Sequence, residues 1–315
     1  MKRLCTFLLL CFLTHSVLAQ TFMRANEWKK YKKEVFFTFG ISNFLGDLGG
    51  RDKQGSDYTP LDLNFNQSKL AIGIGGRYKL ERWLNVAGKF SYLRVSGDDA
   101  ATNDVYRHNR NLNFKSNIFE LTGRLEAGYQ SSRRSSNKYG IRRNYGRMRN
   151  ITHNLFFFIG IGGFYYNPYG RGPDGKMVAL RPLHTEGQTL AGGPSEYSNF
   201  SVCIPVGAYY KVSINKMWSI GIEFCYRKTF TDYIDDVGSR YFDKTKLAAQ
   251  PGIGALSAYM SDPNLGQIYG FSAPAADGTP AQRGDKQKDA YLSLEFTLSY
   301  TFKKARKAAR LRSKF

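Results

Sequence analysis

Cysteine, histidine, acidic residues and long apolar runs are all scarce in this chain. Four cysteines occur in 315 residues, and two of them, Cys5 and Cys11, fall in the leader-like N-terminus. The remaining pair, Cys203 and Cys225, excludes a dense disulfide framework and any CxxC metal pattern. Beyond the leader no stretch approaches the roughly 20 apolar residues that a membrane helix needs, and the mean hydropathy is −0.43. Only helices and closed barrels satisfy every backbone polar group in lipid, so this chain would enter a bilayer as a barrel. Acids are the scarcer charge: 25 Asp and Glu stand against 46 Lys and Arg, a net charge of +21.

The first nineteen residues read as a secretory signal peptide. Lys2 and Arg3 begin it, Leu4 to Leu13 form an apolar run too short to span, and Val17-Leu18-Ala19 offers small-residue cleavage before Gln20. Leu10 stands before Cys11 where a lipoprotein signal carries a small residue, which argues against lipidation. The expected organisation is a signal at 1–19, a basic segment at 20–33, a barrel at 34–302 and a basic tail at 303–315.

Glycine and aromatics are plentiful instead, with 32 Gly, 23 Phe and 21 Tyr. Period-two alternation predicts eight strands near 34–42, 69–80, 83–94, 117–130, 152–166, 200–213, 217–228 and 288–302. In the sixth, Phe200, Val202, Ile204, Val206, Ala208, Tyr210 and Val212 share one face. The fourth sets Phe119, Leu121, Leu125 and Ala127 against Glu120, Thr122, Arg124 and Glu126. Runs of about ten residues, apolar on one face, are the signature of transmembrane strands. The fold expected is an all-β, eight-stranded antiparallel transmembrane β-barrel with long extracellular loops.

The rival is a soluble barrel with its apolar face turned inward. Eight strands enclose a lumen that side chains only just fill, and this many aromatic rings would overfill it. The polar face carries Arg77, Lys89, Glu120, Arg124, Glu126, Glu223, Arg227 and Glu295 in mid-strand. Facing lipid, a charge costs a few kcal/mol near the midplane; facing one another, these eight can pair. They are expected to form a lumen charge network that plugs the barrel and excludes a porin-type channel.

Turns near Glu81-Arg82 and Asn215-Lys216 are short, and the third connection on that side, 131–151, is longer. The opposite connections, about 43–68, 95–116, 167–199 and 229–287, are long. Barrels of this kind keep short turns in the periplasm, which puts both termini there. Charge divides along the same boundary. Residues 24–33 carry Arg24, Lys29, Lys30, Lys32 and Lys33 against Glu27, net +4. Arg133, Arg134, Lys138, Arg142, Arg143, Arg147 and Arg149 give 131–150 a net +7. Lys303, Lys304, Arg306, Lys307, Arg310, Arg312 and Lys314 give the tail +7 as well. Such a surface seeks anions. Nucleic acid does not fit an exported chain without stacking motifs. Outer-membrane lipids, through the anionic phospholipid heads of the inner leaflet, account for the residues nearest the membrane, and a tail reaching past the last strand favours docking onto an acidic periplasmic protein.

An ordered series of loop motifs carries a family resemblance. It comprises Phe44-Leu45-Gly46-Asp47-Leu48-Gly49-Gly50, Ser96-Gly97-Asp98-Asp99-Ala100, Arg110-Asn111-Leu112-Asn113-Phe114, Pro182-Leu183-His184-Thr185-Glu186-Gly187-Gln188, Ile204-Pro205-Val206-Gly207, the run from Arg227 to Val237, and Arg283-Gly284-Asp285. In this order and spacing the chain resembles the PorG-like outer-membrane barrels of the type IX secretion system of Bacteroidetes, from about Glu34 to Phe302. The resemblance implies a non-catalytic secretion component associated with a periplasmic ring of PorK-like lipoprotein and PorN-like protein. That system exports proteins bearing a C-terminal signal domain and, in some relatives, supports gliding motility. It implies no cofactor and no enzyme activity. Docking at the basic 131–150 connection and the tail is a reading of the charge alone.

Other constellations carry less. Asp47, Asp98, Asp99, Asp232, Asp235 and Asp236 lie on loops near strand ends, where hard oxygen ligands could hold a divalent cation; ordinary capping and hydrogen bonds to Arg110 or Arg227 account for them as well. His184, Thr185 and Glu186 have no evident nucleophile beside them, so no catalytic residue is assigned. Cys203 and Cys225, on the lumen face of one hairpin, are expected to sit diagonally with Cys203 opposite Arg227. That spacing of about 7–8 Å is long for a disulfide, which favours two buried thiols. Arg283-Gly284-Asp285 matches an adhesion tripeptide by chance more readily than by function, and 246–281 reads as a loosely packed excursion. The alternative function is a structural or adhesive surface barrel acting through its extracellular loops.

Overall fold

The computed structural model describes residues 27–48, 67–101, 105–132, 152–215, 217–238, 240–266, 282–284 and 287–304. Alternating side chains build β1 (Lys33–Leu45), β2 (Lys69–Lys79), β3 (Leu84–Asp98), β4 (Asn113–Ser132) and β5 (Thr152–Arg171). A three-residue β6 (Met177–Ala179) follows, then β7 (Phe200–Ser213), β8 (Trp218–Thr229) and β9 (Ala290–Phe302). The eight long strands are antiparallel to their neighbours and close into a ring, since β1 pairs with both β2 and β9 and β4 pairs with both β3 and β5. Closure leaves the ring no free edge, while β6 pairs antiparallel with the end of β5, from Tyr169 to Arg171.

The wall faces outward with its apolar side. Ile74, Leu121, Ile161 and Phe296 are each 60–69% exposed, and an apolar belt on a closed barrel with a polar interior belongs in lipid. Aromatic rings border it at both ends. Tyr78, Trp83, Tyr129, Trp218 and Phe302 lie near the termini; Tyr92, Phe119, Tyr165 and Phe200 lie near the long loops. Amphipathic rings of this kind settle at the two membrane–water interfaces. The architecture is that of a membrane-spanning barrel.

At the terminal end two hairpins turn tightly. Leu80 and Glu81 N–H groups both donate to the Leu84 carbonyl. In the β7–β8 turn, Asn215 Oδ1 accepts from Met217 and Trp218 N–H at 2.8 and 2.7 Å, an Asx-type closure. At the loop end the connections fold over the barrel mouth as a cap. Phe44, Leu48, Leu112, Leu183, Ile234 and Met260 form part of its buried apolar cluster.

Three expectations are corrected. Strands β1, β3, β4 and β5 run further toward the loop end than alternation suggests; β4 and β5 each have 20 residues. In β1 the period breaks because the cap covers its outer end, so Ser42, Asn43, Phe44 and Leu45 are all buried in succession. The 246–281 stretch is not a loose excursion over its described part. After α1 (Val105–Arg110), which precedes β4, helices α2 (Lys244–Ala248) and α3 (Gly254–Ser261) pack into the cap, burying Leu247 and Met260. Asp243 caps α2 by accepting from Thr245 N–H at 2.9 Å, and Ser257 Oγ donates to the Leu183 carbonyl at 2.6 Å. Small Gly and Ala residues, read as loop formers, here permit close approach. Third, Cys203 lies opposite Thr229, and Cys225 opposite Gly207, a shift of two residues from the expected register. Both thiols are free and buried.

A positive charge on the belt should be costly. Leu121→Arg is expected to destabilise the lipid-embedded barrel by about 2–4 kcal/mol, measured by urea unfolding in vesicles. A loss below about 0.5 kcal/mol would mean that Leu121 does not face lipid.

Candidate functional site

Inside the wall, five basic and five acidic side chains form an ion-pair network. They are Arg77, Lys89, Arg124, Lys211 and Arg227 with Glu34, Glu120, Glu126, Glu223 and Glu295. All eight residues singled out from the sequence are buried here. Glu34 and Lys211 complete the set; both lie in the inward phase of their strands, a signal that alternation carries and that mid-strand counting passed over.

The network crosses the lumen. Lys89 on β3 donates to Glu223 on β8 at 3.0 Å and to Glu295 on β9 at 2.8 Å. Arg124 on β4 grips Glu223 with both terminal nitrogens, at 2.9 and 2.7 Å. Arg77 bridges Glu126 and Glu34, and Lys211 donates to both oxygens of Glu34 at 2.8 Å. Nearer the cap, Arg227 sits 2.7 Å from Glu120, which also accepts from Tyr291 at 2.6 Å. Aromatic rings fill the remaining space. The Arg77 guanidinium lies 4.3 Å from the Tyr209 ring centre and that of Arg124 4.4 Å from Phe158, so each cation gains a ring face where water is excluded. A glycine makes room for the one central lysine: a Cβ at Gly73 would lie 2.5 Å from Lys89 Cε.

The cap is locked by two buried arginines. Arg110 pairs with Asp99 at 2.6 Å and donates to the carbonyls of Asp47 and Arg283. Arg283 in turn meets Glu186 at 3.1 Å and donates to the carbonyls of Asp236 and Ser261. Because Arg283 is buried, the tripeptide that begins with it presents no adhesive arginine. Thr185 and Tyr197 hydroxyls both donate to Asp236 at 2.6 Å. His184 holds a left-handed backbone at the end of a short 3-10 turn. Asp235 accepts from Leu48 and Val237 N–H, at 3.2 and 3.0 Å. The loop aspartates therefore serve as loop clasps, and no group of metal-ligating side chains occurs among the described residues.

Burial pushes the Asp236 carboxyl up to about 6, helped by Glu186 and opposed by Arg283, Thr185 and Tyr197. Burial and then Asp47 hold Asp235 well above the usual carboxylate range, and burial and then Asp235 do the same to Asp289.

The opposite end is basic. Lys33 on β1 pairs with Phe302 on β9, and Lys304 N–H donates to the Lys30 carbonyl at 2.7 Å. Closure of the ring thus places Lys29, Lys30, Lys32 and Lys33 beside Lys303 and Lys304. Lys32 lies 5.0 Å over the Trp28 ring and 5.5 Å over that of Tyr78. Of the other docking candidates, Arg133, Arg134, Arg142, Arg143, Arg147, Arg149, Arg306, Lys307, Arg310 and Arg312 lie outside the described residues.

Two outcomes follow from this chemistry. Glu223→Gln leaves Lys89 with Glu295 alone and Arg124 with Glu126 alone, so the buried network is one negative charge short; it is expected to cost about 3–5 kcal/mol in vesicle unfolding, whereas Arg124→Met with Glu223→Met together should cost less than the two single changes summed. Strict additivity would contradict the network. Second, the cap aspartates hold protons more readily folded than unfolded. The contribution of Asp236 is full below about pH 4 and is lost as pH rises through about 6. Amide exchange over 234–238 should therefore be better protected at about pH 5 than at about pH 7.5, with Asp236→Asn flattening the difference; a pH-independent wild type would contradict it.

No protein-family model matches this chain, and no curated protein does. Among solved structures, Ail, the attachment invasion locus protein of Yersinia pestis, is similar over 86% of this chain and 98% of its own, at 8% identity and a TM-score of 0.34. Neisserial surface protein A is similar over 86% of this chain and 97% of its own, at 8% identity and 0.34. For the outer membrane protein AlkL the shares are 89% and 93%, at 11% identity and 0.33.

Proposed function

We propose that this chain is a non-catalytic outer-membrane component of the type IX secretion system, which anchors or positions the PorK/PorN-like periplasmic ring. The observation that carries the proposal is the meeting of both basic terminal segments at one end of the barrel, through the β1–β9 pairing and the Lys304–Lys30 hydrogen bond. Short hairpins share that end, which on the sidedness rule for such barrels is periplasmic. A cluster of lysines there attracts an acidic protein surface and sets the register in which it docks. The sealed lumen supports a fixed anchor over a conduit. The ordered loop motifs support the family and, through it, the identity of the partners.

The test is a gentle-detergent pull-down of the tagged full barrel, with partners identified by mass spectrometry. Ring proteins are expected at low salt and absent near 1 M, where charges are screened beyond about 3 Å. Replacing Lys29, Lys30, Lys303 and Lys304 with Gln should lower recovery on the order of tenfold. Recovery of the barrel alone at every salt would overturn the proposal; intact ring recovery with the variant would remove these lysines from it.

A further inference from the structure

Four aromatic side chains line up across neighbouring strands at the loop-side border of the lipid belt. Tyr92 on β3 pairs with Phe119 on β4, Phe119 with Tyr165 on β5, and Tyr165 with Phe200 on β7. Ring centres lie 5.2 Å apart for Tyr92–Phe119 and 5.0 Å apart for Tyr165–Phe200. This row marks the level of the lipid headgroups. On the same outward face, the next residues along are no longer apolar. One row up, Arg94 pairs with Asn117 and Asn117 with Asn167; a second row up, Ser96 pairs with Lys115 and Lys115 with Tyr169.

The arginine is held rather than neutralised. Arg94 Nε donates to Asn117 Oδ1 at 3.0 Å and Nη2 to the Tyr92 hydroxyl at 3.0 Å, while that hydroxyl donates to Asn117 at 3.0 Å. All these partners are neutral, so the guanidinium keeps its full charge in a fixed orientation against the wall. Lys115 stands on the neighbouring strand at the diagonal position, where Cα atoms are about 7–8 Å apart. No described carboxylate pairs with either cation. Arg171 lies two residues beyond Tyr169 and is 3.5 Å from Asp98, the only acid in the next row.

We propose that Arg94 and Lys115 form a binding site on the outer wall for a phosphate of an outer-leaflet glycolipid. The aromatic row would lie along its acyl chains and Asn117, Asn167 and Tyr169 along its sugar. Three features select this occupant. The cations sit within one or two residue pairs of the aromatic border, at the depth of a lipid headgroup. They face sideways, along the membrane plane, and are flanked by amide and hydroxyl groups suited to sugar hydroxyls. The planar guanidinium is the stronger phosphate partner and the flexible lysine a second point charge. The site rests on the sidedness proposed above, with the long loops outside.

The test uses the purified full-length barrel in detergent, titrated with diphosphoryl lipid A, with a dephosphorylated glycolipid of the same acylation, and with phosphatidylglycerol. Diphosphoryl lipid A is expected to bind about tenfold more tightly than either comparison lipid. The variant R94Q/K115Q should lose that preference while keeping the heat-modifiable migration of a folded barrel. Equal binding of all three lipids, or a variant that keeps the preference, would overturn the proposal, and tighter phosphatidylglycerol binding would assign the site to a phospholipid instead. Sidedness is checked separately by Ser96→Cys and a membrane-impermeant maleimide on intact cells. Labelling without lipid preference defeats the glycolipid site alone; no labelling on cells, with labelling after permeabilisation, defeats the sidedness beneath it.

Discussion

Charge sealed inside the ring is the constraint on which the rest of the structure depends. Five cations and five carboxylates lie in a space from which water is nearly excluded, and each sign has its partner on a different strand. An orphaned ion there costs several kcal/mol, whereas the complete set is tolerated. The network therefore specifies more than it stabilises. A strand slipped by one residue would send its charges into lipid and its apolar face into the lumen, so register, closure and polarity are all set by one requirement. Lys89 needs Glu223 and Glu295 from the far wall, and Gly73 leaves open the space through which its side chain passes.

The cap completes this enclosure. Its loops come from four connections that are distant in sequence, yet Arg110 and Arg283 join all four through carbonyls and buried carboxylates. Most of the loop motifs that carry the family resemblance meet at these two arginines. Their residue types are accounted for by clasping: Asp99 for Arg110, Glu186 for Arg283, Asp236 for Thr185 and Tyr197. The resemblance is thus rooted in how the mouth is closed, while the proposed functional surfaces lie elsewhere, on the wall and at the basic end.

Much of the wall was legible in the sequence because one face must be apolar and the other must not. Leu121 against Glu120 and Phe296 against Glu295 announce which side meets lipid. Legibility stopped where that asymmetry stops. Ser42 to Leu45 are buried on both faces, so the strand continued past the point where alternation ended. Helices α2 and α3 were hidden by small residues whose packing partners, such as Leu183, are some 70 positions away in the chain. Aromatics within the lumen, Phe36, Phe158 and Tyr209, broke the expected polar phase because they serve as faces for guanidinium groups. The cysteine register could not be read without knowing how many residues the Asn215 turn consumes.

On the function proposed, a barrel filled this way would act by its surfaces, with the β1–β9 seam presenting lysines at one end and the β3–β5 wall presenting cations at the other. The most direct test of that account is electrical. Purified barrel inserted in a planar bilayer should carry no steady current at any ionic strength, because the Lys89–Glu223–Arg124 bridge closes the lumen. A stable, reproducible conductance from the folded wild-type protein would contradict it.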